Sequence, residues 1–215
     1  MTTEMLSKSP TQTADTQAQI TPATALKMLK EGNKRFNSND FIYRDYHKQI
    51  KQTADGQYPF AAIVSCIDSR IPTEIIFDQG IGDIFNARIA GNFVNEDILG
   101  SLEFACKLAG SKIIVVMGHT SCGAVKGACD QAKLGNLTQM LDKIMPAVEE
   151  VSTTPDEARD SSNHTFVNNV AAKNVGLTVD NIKKQSPVLN AMYKAGEIEI
   201  VGAMYDVKTG KVTFS

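Results

Sequence analysis

The run Lys112-Ile113-Ile114-Val115-Val116-Met117 constrains the fold of this chain more than any other feature. Alternating polarity would mark a half-exposed strand. Unbroken apolarity, rich in β-branched residues, marks a strand covered on both faces, as in a parallel sheet beneath helices. Gly118-His119 ends the run. Shorter strands are predicted at Phe60–Ser65, closing on Cys66, and at Ile84–Arg88. Glu197–Val207 reads as a strand that turns at Lys208-Thr209-Gly210 into Lys211–Phe214, a terminal hairpin.

Helical spacing lies between these strands. Thr21 and Pro22 suit a helix start, with Ala25, Leu26, Leu29 and Phe36 on one face. Pro72 opens a short helix over Thr73–Phe77. Asn95 caps a helix carrying Ile98, Leu102, Ala105 and Leu108, which Gly110 closes. Further helices are expected from about Gly123, over 138–150 and over 163–185. Residues 38–59, with a turn at Asp55-Gly56, and 151–162 read as polar connectors. The whole predicts an α/β fold: a central, mostly parallel β-sheet flanked by helices, with a C-terminal antiparallel hairpin strand and an N-terminal helical arm. Residues 1 to about 20 read as a tail, or an arm that orders against a partner subunit.

Composition removes several function classes. The formal charge of 22 − 24 = −2 argues against holding nucleic acid or anionic lipid through bulk positive charge. No apolar run approaches the ~20 residues that span a bilayer. The first residues lack the apolar core of a signal peptide, so the chain as written reads as cytoplasmic, or periplasmic where an export signal has been removed. Four cysteines in 215 residues are not a disulfide scaffold. None forms a Cys-x-x-Cys pair, which argues against thiol redox chemistry.

Two strand ends carry metal-type residues: Cys66-Ile67-Asp68-Ser69-Arg70 and His119-Thr120-Ser121-Cys122-Gly123. In parallel sheets, sites form beyond the carboxyl ends of strands. If these strands are neighbours, Cys66, His119 and Cys122 converge as a tetrahedral zinc site with one position left over. Asp68, two residues beyond Cys66, points the same way. It either fills the fourth position or stands back and leaves it to water. Arg70 decides, because a bidentate guanidinium keeps the carboxylate ionised and off the metal. Cys106 and Cys129 fall on helix positions and read as structural, His47 and His164 as surface residues, and Lys183-Lys184 as a solvated face.

CIDSR and, 53 positions after its Cys66, HTSCG resemble the paired motifs of the β-class carbonic anhydrases. FDQGIGDIFNARIAGN, GSLEFACKLAGSKIIVVMGHTSCGAVKGA and IEIVGAMYDVKTGKV extend the likeness over about residues 22–214. The resemblance implies a flexible N-terminal tail or arm, 1–21, ahead of a zinc domain, 22–215. It implies one Zn2+ per subunit on Cys66, His119 and Cys122, and reversible hydration of carbon dioxide to bicarbonate and a proton by zinc-bound hydroxide. Asp68 and Arg70 match the family's dyad, with Asp68 as fourth ligand in a closed state. Gln57, Phe85, Ala90, Phe104 and Gly123 match substrate-binding positions. Ala90 is smaller than the residue usual there, and Phe104 stands where Tyr is frequent. A homodimer or dimer of dimers is implied, in which Gln57 and Phe104 serve the neighbouring subunit's zinc. The inhibitory bicarbonate pocket of one subgroup needs Trp where this chain has Ile63, so that pocket is not expected. Two thiolates offset the charge of the metal, which predicts activity rising into the alkaline range. The competing readings are a carbonyl sulfide or carbon disulfide hydrolase on the same scaffold, and a non-catalytic zinc or bicarbonate-binding protein. Asp68, Arg70 and Gln57 count against the second, since a structural zinc needs none of them.

Overall fold

The apolar run becomes the central strand of the sheet, and all seven residues of β3 (Ile113–His119) are buried. A computed structural model describes residues 11–215. Strand β1 (Ala61–Ser65) pairs in parallel with β3 on one side and with β2 (Ile84–Arg88) on the other. Strand β4 (Glu199–Tyr205) pairs in parallel with β3, and β5 (Val212–Phe214) closes the edge antiparallel to β4. The order is β2-β1-β3-β4-β5. Alternate residues enter opposite layers: Ala61, Ile63, Ile113, Val115 and Met117 join one apolar cluster, and Ala62, Val64, Ile114 and Val116 the other. That two-sided burial is what an unbroken β-branched run permits.

The helices follow in order: α1 (Ala14–Ala18), α2 (Pro22–Ser38), α3 (Tyr46–Gln52), α4 (Thr73–Ile76), α5 (Glu96–Glu103), α6 (Gly123–Cys129), α7 (Gly135–Asp142), α8 (Met145–Glu150), α9 (His164–Gln185) and α10 (Pro187–Lys194). Thr21 and Asn95 cap α2 and α5 as expected, accepting from the amides of Thr24 and Ile98. Among the described residues, no helix is long and apolar enough to cross a membrane.

Several expectations need correction. Residues 14–18, within the stretch read as a tail or as an arm that orders against a partner subunit, form α1 against this chain itself. A Thr13/Thr16 capping box starts it, and Gln17 Nε2 donates to the carbonyls of Pro59 and Ala109, each at 2.8 Å. The part of the tail expectation that concerns residues 1–10 lies outside the described residues. The stretch 38–59, read as irregular, contains α3, capped by Asp45. Apolar periodicity could not reveal that helix, because Tyr46 and Ile50 are exposed and the residue it buries is Gln49. The helix expected over 138–150 is two, α7 and α8, with Pro146 in the first turn of the second, where its missing N–H costs nothing. A further helix, α10, follows Ser186, whose hydroxyl caps it by accepting from the Leu189 amide.

After α5 the chain widens into a π-helical turn, Phe104–Leu108. The extra residue in the turn rotates the side chains after it, and Leu108, expected on the buried face, is 76% exposed.

Candidate metal centre

β1 leaves its carboxyl end toward β2, and β3 leaves its own toward β4, so the connections diverge between two adjacent strands. Such a switch point opens a crevice between strand ends. Cys66 follows β1 there, His119 ends β3, and Cys122 precedes α6. One donor atom from each of the three, all buried, lies within 4.8 Å of the others. The two sulfurs are 3.9 Å apart.

The surroundings prepare this set for a cation. His119 Nδ1 lies 3.0 Å from the Thr120 carbonyl oxygen. A carbonyl only accepts, so Nδ1 carries the proton and Nε2 keeps its lone pair for the cleft. Nε2 is buried and, among the described residues, makes no hydrogen bond of ordinary geometry. Unpaired buried nitrogens are costly, and a metal would satisfy this one. Two sulfurs on a tetrahedral zinc with bonds of ~2.3 Å lie about 3.8 Å apart, close to the separation found. The donor set fits zinc, with one coordination position left over.

The hydrogen bond from Cys122 draws the Cys66 thiol pKa down against the opposing effect of burial, helped by His119 and by the Gly91 amide. That same bond, with burial and the charge on Cys66, drives the Cys122 thiol up. Sulfur binds a cation as thiolate, so cation binding here would release thiol protons.

Asp68 stands beside the donors, its Oδ2 3.9 Å from His119 Nε2. Arg70 donates from Nε to Oδ1 at 2.9 Å and from Nη2 to Oδ2 at 2.7 Å, and its backbone amide also reaches Oδ1, at 3.0 Å. Arg70 side-chain hydrogen bonds lower the Asp68 pKa from 3.8 to about 2. Arg70 thus engages both carboxylate oxygens of Asp68.

Cys66, Asp68, Ala90 and Gly123 line a cleft of about 240 Å³ whose far wall is Leu137 and Met140 of α7. The other expected substrate residues lie elsewhere on this chain. Phe85 and Phe104 meet edge to face at 6.1 Å and line a separate groove. Gln57 is exposed and precedes the amino end of β1, whereas Cys66 follows its carboxyl end. Five strand residues, about 17 Å, separate those two ends. Gln57 is not among the residues that line the cleft beside the three donors.

Sequence reasoning missed the residues that hold the loops. Arg88 donates from Nε to the Cys66 carbonyl at 3.0 Å and from Nη2 to the Asp68 carbonyl at 2.6 Å. Its place at the end of β2 was a usable signal. Asn168 and Asn174 of α9 reach the same region from far along the chain, with no local pattern to reveal them.

The carbonic anhydrase family model matches residues 61–212. Carbonic anhydrase 2 of Mycobacterium tuberculosis is 35% identical over 197 residues, covering 88% of this chain and 91% of its own. The crystal structure of the β-carbonic anhydrase CafA of Aspergillus fumigatus superposes with a TM-score of 0.66 at 26% identity, covering 90% of this chain and 89% of that one. One of two tetrameric β-carbonic anhydrases from Sordaria macrospora shares the fold, with a TM-score of 0.66 at 22% identity over 78% of this chain and 89% of that one. A family match across most of the chain, on this fold and around this sulfur and nitrogen cluster, places the chain in the β-carbonic anhydrase family.

Proposed function

We propose that this protein hydrates carbon dioxide reversibly to bicarbonate and a proton at a zinc ion held by Cys66, His119 and Cys122. The observation that carries the reading is the convergence of three buried donors within 4.8 Å beside an arginine-held carboxylate. Zinc, when bound, supplies the Lewis acidity that makes water a nucleophile at moderate pH.

The chain's own residues do the rest. The two thiolates and the His119 lone pair hold the ion. Asp68, kept ionised by Arg70, offers a hydrogen-bond acceptor at the cleft and orients the nucleophile's proton away from the substrate. Ala90, Leu137 and Met140 give an apolar wall against which a small linear gas can rest, and Gly123 opens the cleft floor without a side chain. The proton leaves to buffer; no histidine is assigned as its carrier.

The reading extends to an assembly, a dimer or dimer of dimers. Phe104 is 50% exposed and Leu108 76%, beside a groove lined by Phe85, an apolar surface suited to a second copy. In that assembly Gln57 and Phe104 complete the neighbouring subunit's pocket. Four buried free thiols suit a reducing compartment, in keeping with a cytoplasmic setting. The test is stopped-flow hydration of carbon dioxide against pH, with zinc content measured in parallel and carbonyl sulfide and carbon disulfide assayed on the same preparation. Zinc-loaded protein that turns over carbon dioxide, with rates rising into the alkaline range, supports the reading. Zinc-loaded protein inert to carbon dioxide at every pH overturns it.

A further inference from the structure

Helix α9 bonds through one asparagine to the loop that carries His119 and Cys122, and through another to Gly91, in the loop after β2, whose amide reaches Cys66. Asn174 is 3% exposed, on a helix face that also buries Val170, Ala171, Val175, Thr178 and Ile182. An amide is costly there unless its hydrogen bonds are made, and an aliphatic residue would suit packing alone. Its Nδ2 donates to the Gly91 carbonyl at 2.7 Å. The Gly91 amide in turn donates to Cys66 Sγ at 3.4 Å. Gly91 has φ of +82°, and a Cβ there would fall 2.4 Å from Ile144 Cδ1, so the loop needs glycine to stay where Asn174 holds it.

Six residues earlier, about 9 Å along the helix axis, Asn168 Oδ1 accepts from the Ser121 amide at 3.0 Å. Ser121 lies between His119 and Cys122 with φ of 57°. A serine keeps that left-handed conformation where its surroundings fix it. α9 itself sits close against the sheet: a Cβ on Gly118, the residue before His119, would fall 2.6 Å from Val175 Cγ2.

We propose that Asn174 and Asn168 are positioning residues that tie the Gly91 loop beside Cys66, and the loop between His119 and Cys122, to one rigid helix. They act through Gly91 and Ser121 and touch no donor atom themselves. The helix holds Cys66 against His119 and Cys122 at the spacing a cation needs, before any cation arrives. The proposal deepens the zinc reading and rests on it.

The test compares Asn174→Leu and Asn168→Ala with Ile182→Ala. The last opens a cavity at a fully buried position of α9 in the apolar cluster away from the donors. Each full-length protein is loaded with zinc, and the rate of zinc loss to a chelator is followed. Cobalt-substituted samples report the thiolate-to-cobalt absorption, and thermal midpoints report stability. Asn174→Leu is expected to lose zinc about 10–100-fold faster than wild type and to shift the cobalt spectrum. Asn168→Ala should change both in the same direction by less. Ile182→Ala should lower the thermal midpoint yet keep wild-type zinc loss and spectrum.

Wild-type zinc loss and spectrum in Asn174→Leu, or the same changes in Ile182→Ala, would overturn the proposal. Should Asn174→Leu fail to fold, Asn168→Ala at its half-buried site decides: wild-type behaviour there overturns the proposal and faster loss supports it. A wild-type protein that retains neither zinc nor cobalt overturns the zinc reading itself, and this proposal with it.

Discussion

Asp68 and Asp78 lie ten residues apart, each with its carboxylate gripped by guanidinium groups, in contrasting surroundings. The Asp78 side chain is 1% exposed. Arg35 takes one oxygen and Arg44 the other, the Ile42 amide adds a bond at 3.3 Å, and Arg44 also reaches the Asp78 carbonyl. Both oxygens of that carboxylate are engaged and buried. Asp68 is 16% exposed and its partner Arg70 52%. Arg70 covers one side, and the other faces His119 across the cleft. The same chemical pair thus fastens α2 and the segment before α3 to the turn after α4 in one place, and presents an ionised oxygen to a cleft in the other. Burial and the free side, not residue type, separate the two roles.

This contrast can be broken or sharpened by experiment, and the donors give the largest expected effect. Cys66→Ser, His119→Ala or Cys122→Ser should each lose nearly all zinc and turnover while the Asp78 cluster keeps the chain folded. Metal analysis and stopped-flow assay check this, and full zinc with normal turnover in any of the three would show the donor set to be misassigned. Asp78→Ala comes next. It leaves two guanidinium groups facing each other in a largely buried site and should cost about 3–5 kcal/mol of stability in denaturant titration. Its folded fraction should still bind zinc.

Asp68→Asn inverts that result. Stability should stay within about 0.5 kcal/mol of wild type, zinc should remain bound, and turnover should fall on the order of a hundredfold, the effect of removing a positioned hydrogen-bonding group. Equal stability losses at positions 68 and 78 would erase the distinction between the two carboxylates.

The smallest effect is a titration. The Asp68 pKa is depressed from 3.8 to about 2 in the folded chain, chiefly by hydrogen bonds from Arg70. Its contribution to stability is therefore present above the unfolded value and is lost as pH falls toward about 2. Because Arg70 is half-exposed, that contribution is minor. Carboxyl carbon shifts followed by NMR should show the low pKa in wild type and a rise toward 3.8 in Arg70→Ala. An unchanged Asp68 titration in that variant would remove Arg70 as the cause.

Much of the scaffold was legible in residue order. Lys112–Met117 announced a strand covered on both faces, and β3 is buried throughout. Thr21 and Asn95 announced helix starts, and their side chains make the expected bonds. Cys66, His119 and Cys122 stood at strand ends, where parallel sheets place their sites. The losses have physical causes. α3 buries a glutamine and exposes Tyr46 and Ile50, so hydropathy points the wrong way. The π turn after Glu103 shifts the helical register without a marker in residue type, and Leu108 turns outward.

Residue types and their spacing determined by themselves which strands would be buried and which side chains could bind a cation, because periodicity and donor chemistry are local properties. Tertiary structure alone decided that the β1 and β3 ends are adjacent, that His119 Nε2 is left without a hydrogen bond among the described residues, and that Gln57 precedes the end of β1 opposite to the one Cys66 follows. It alone brought Asn174 to Gly91, 83 positions away, and Arg88 to the Cys66 and Asp68 carbonyls. Such contacts depend on which segments pack together, and no single segment carries that information.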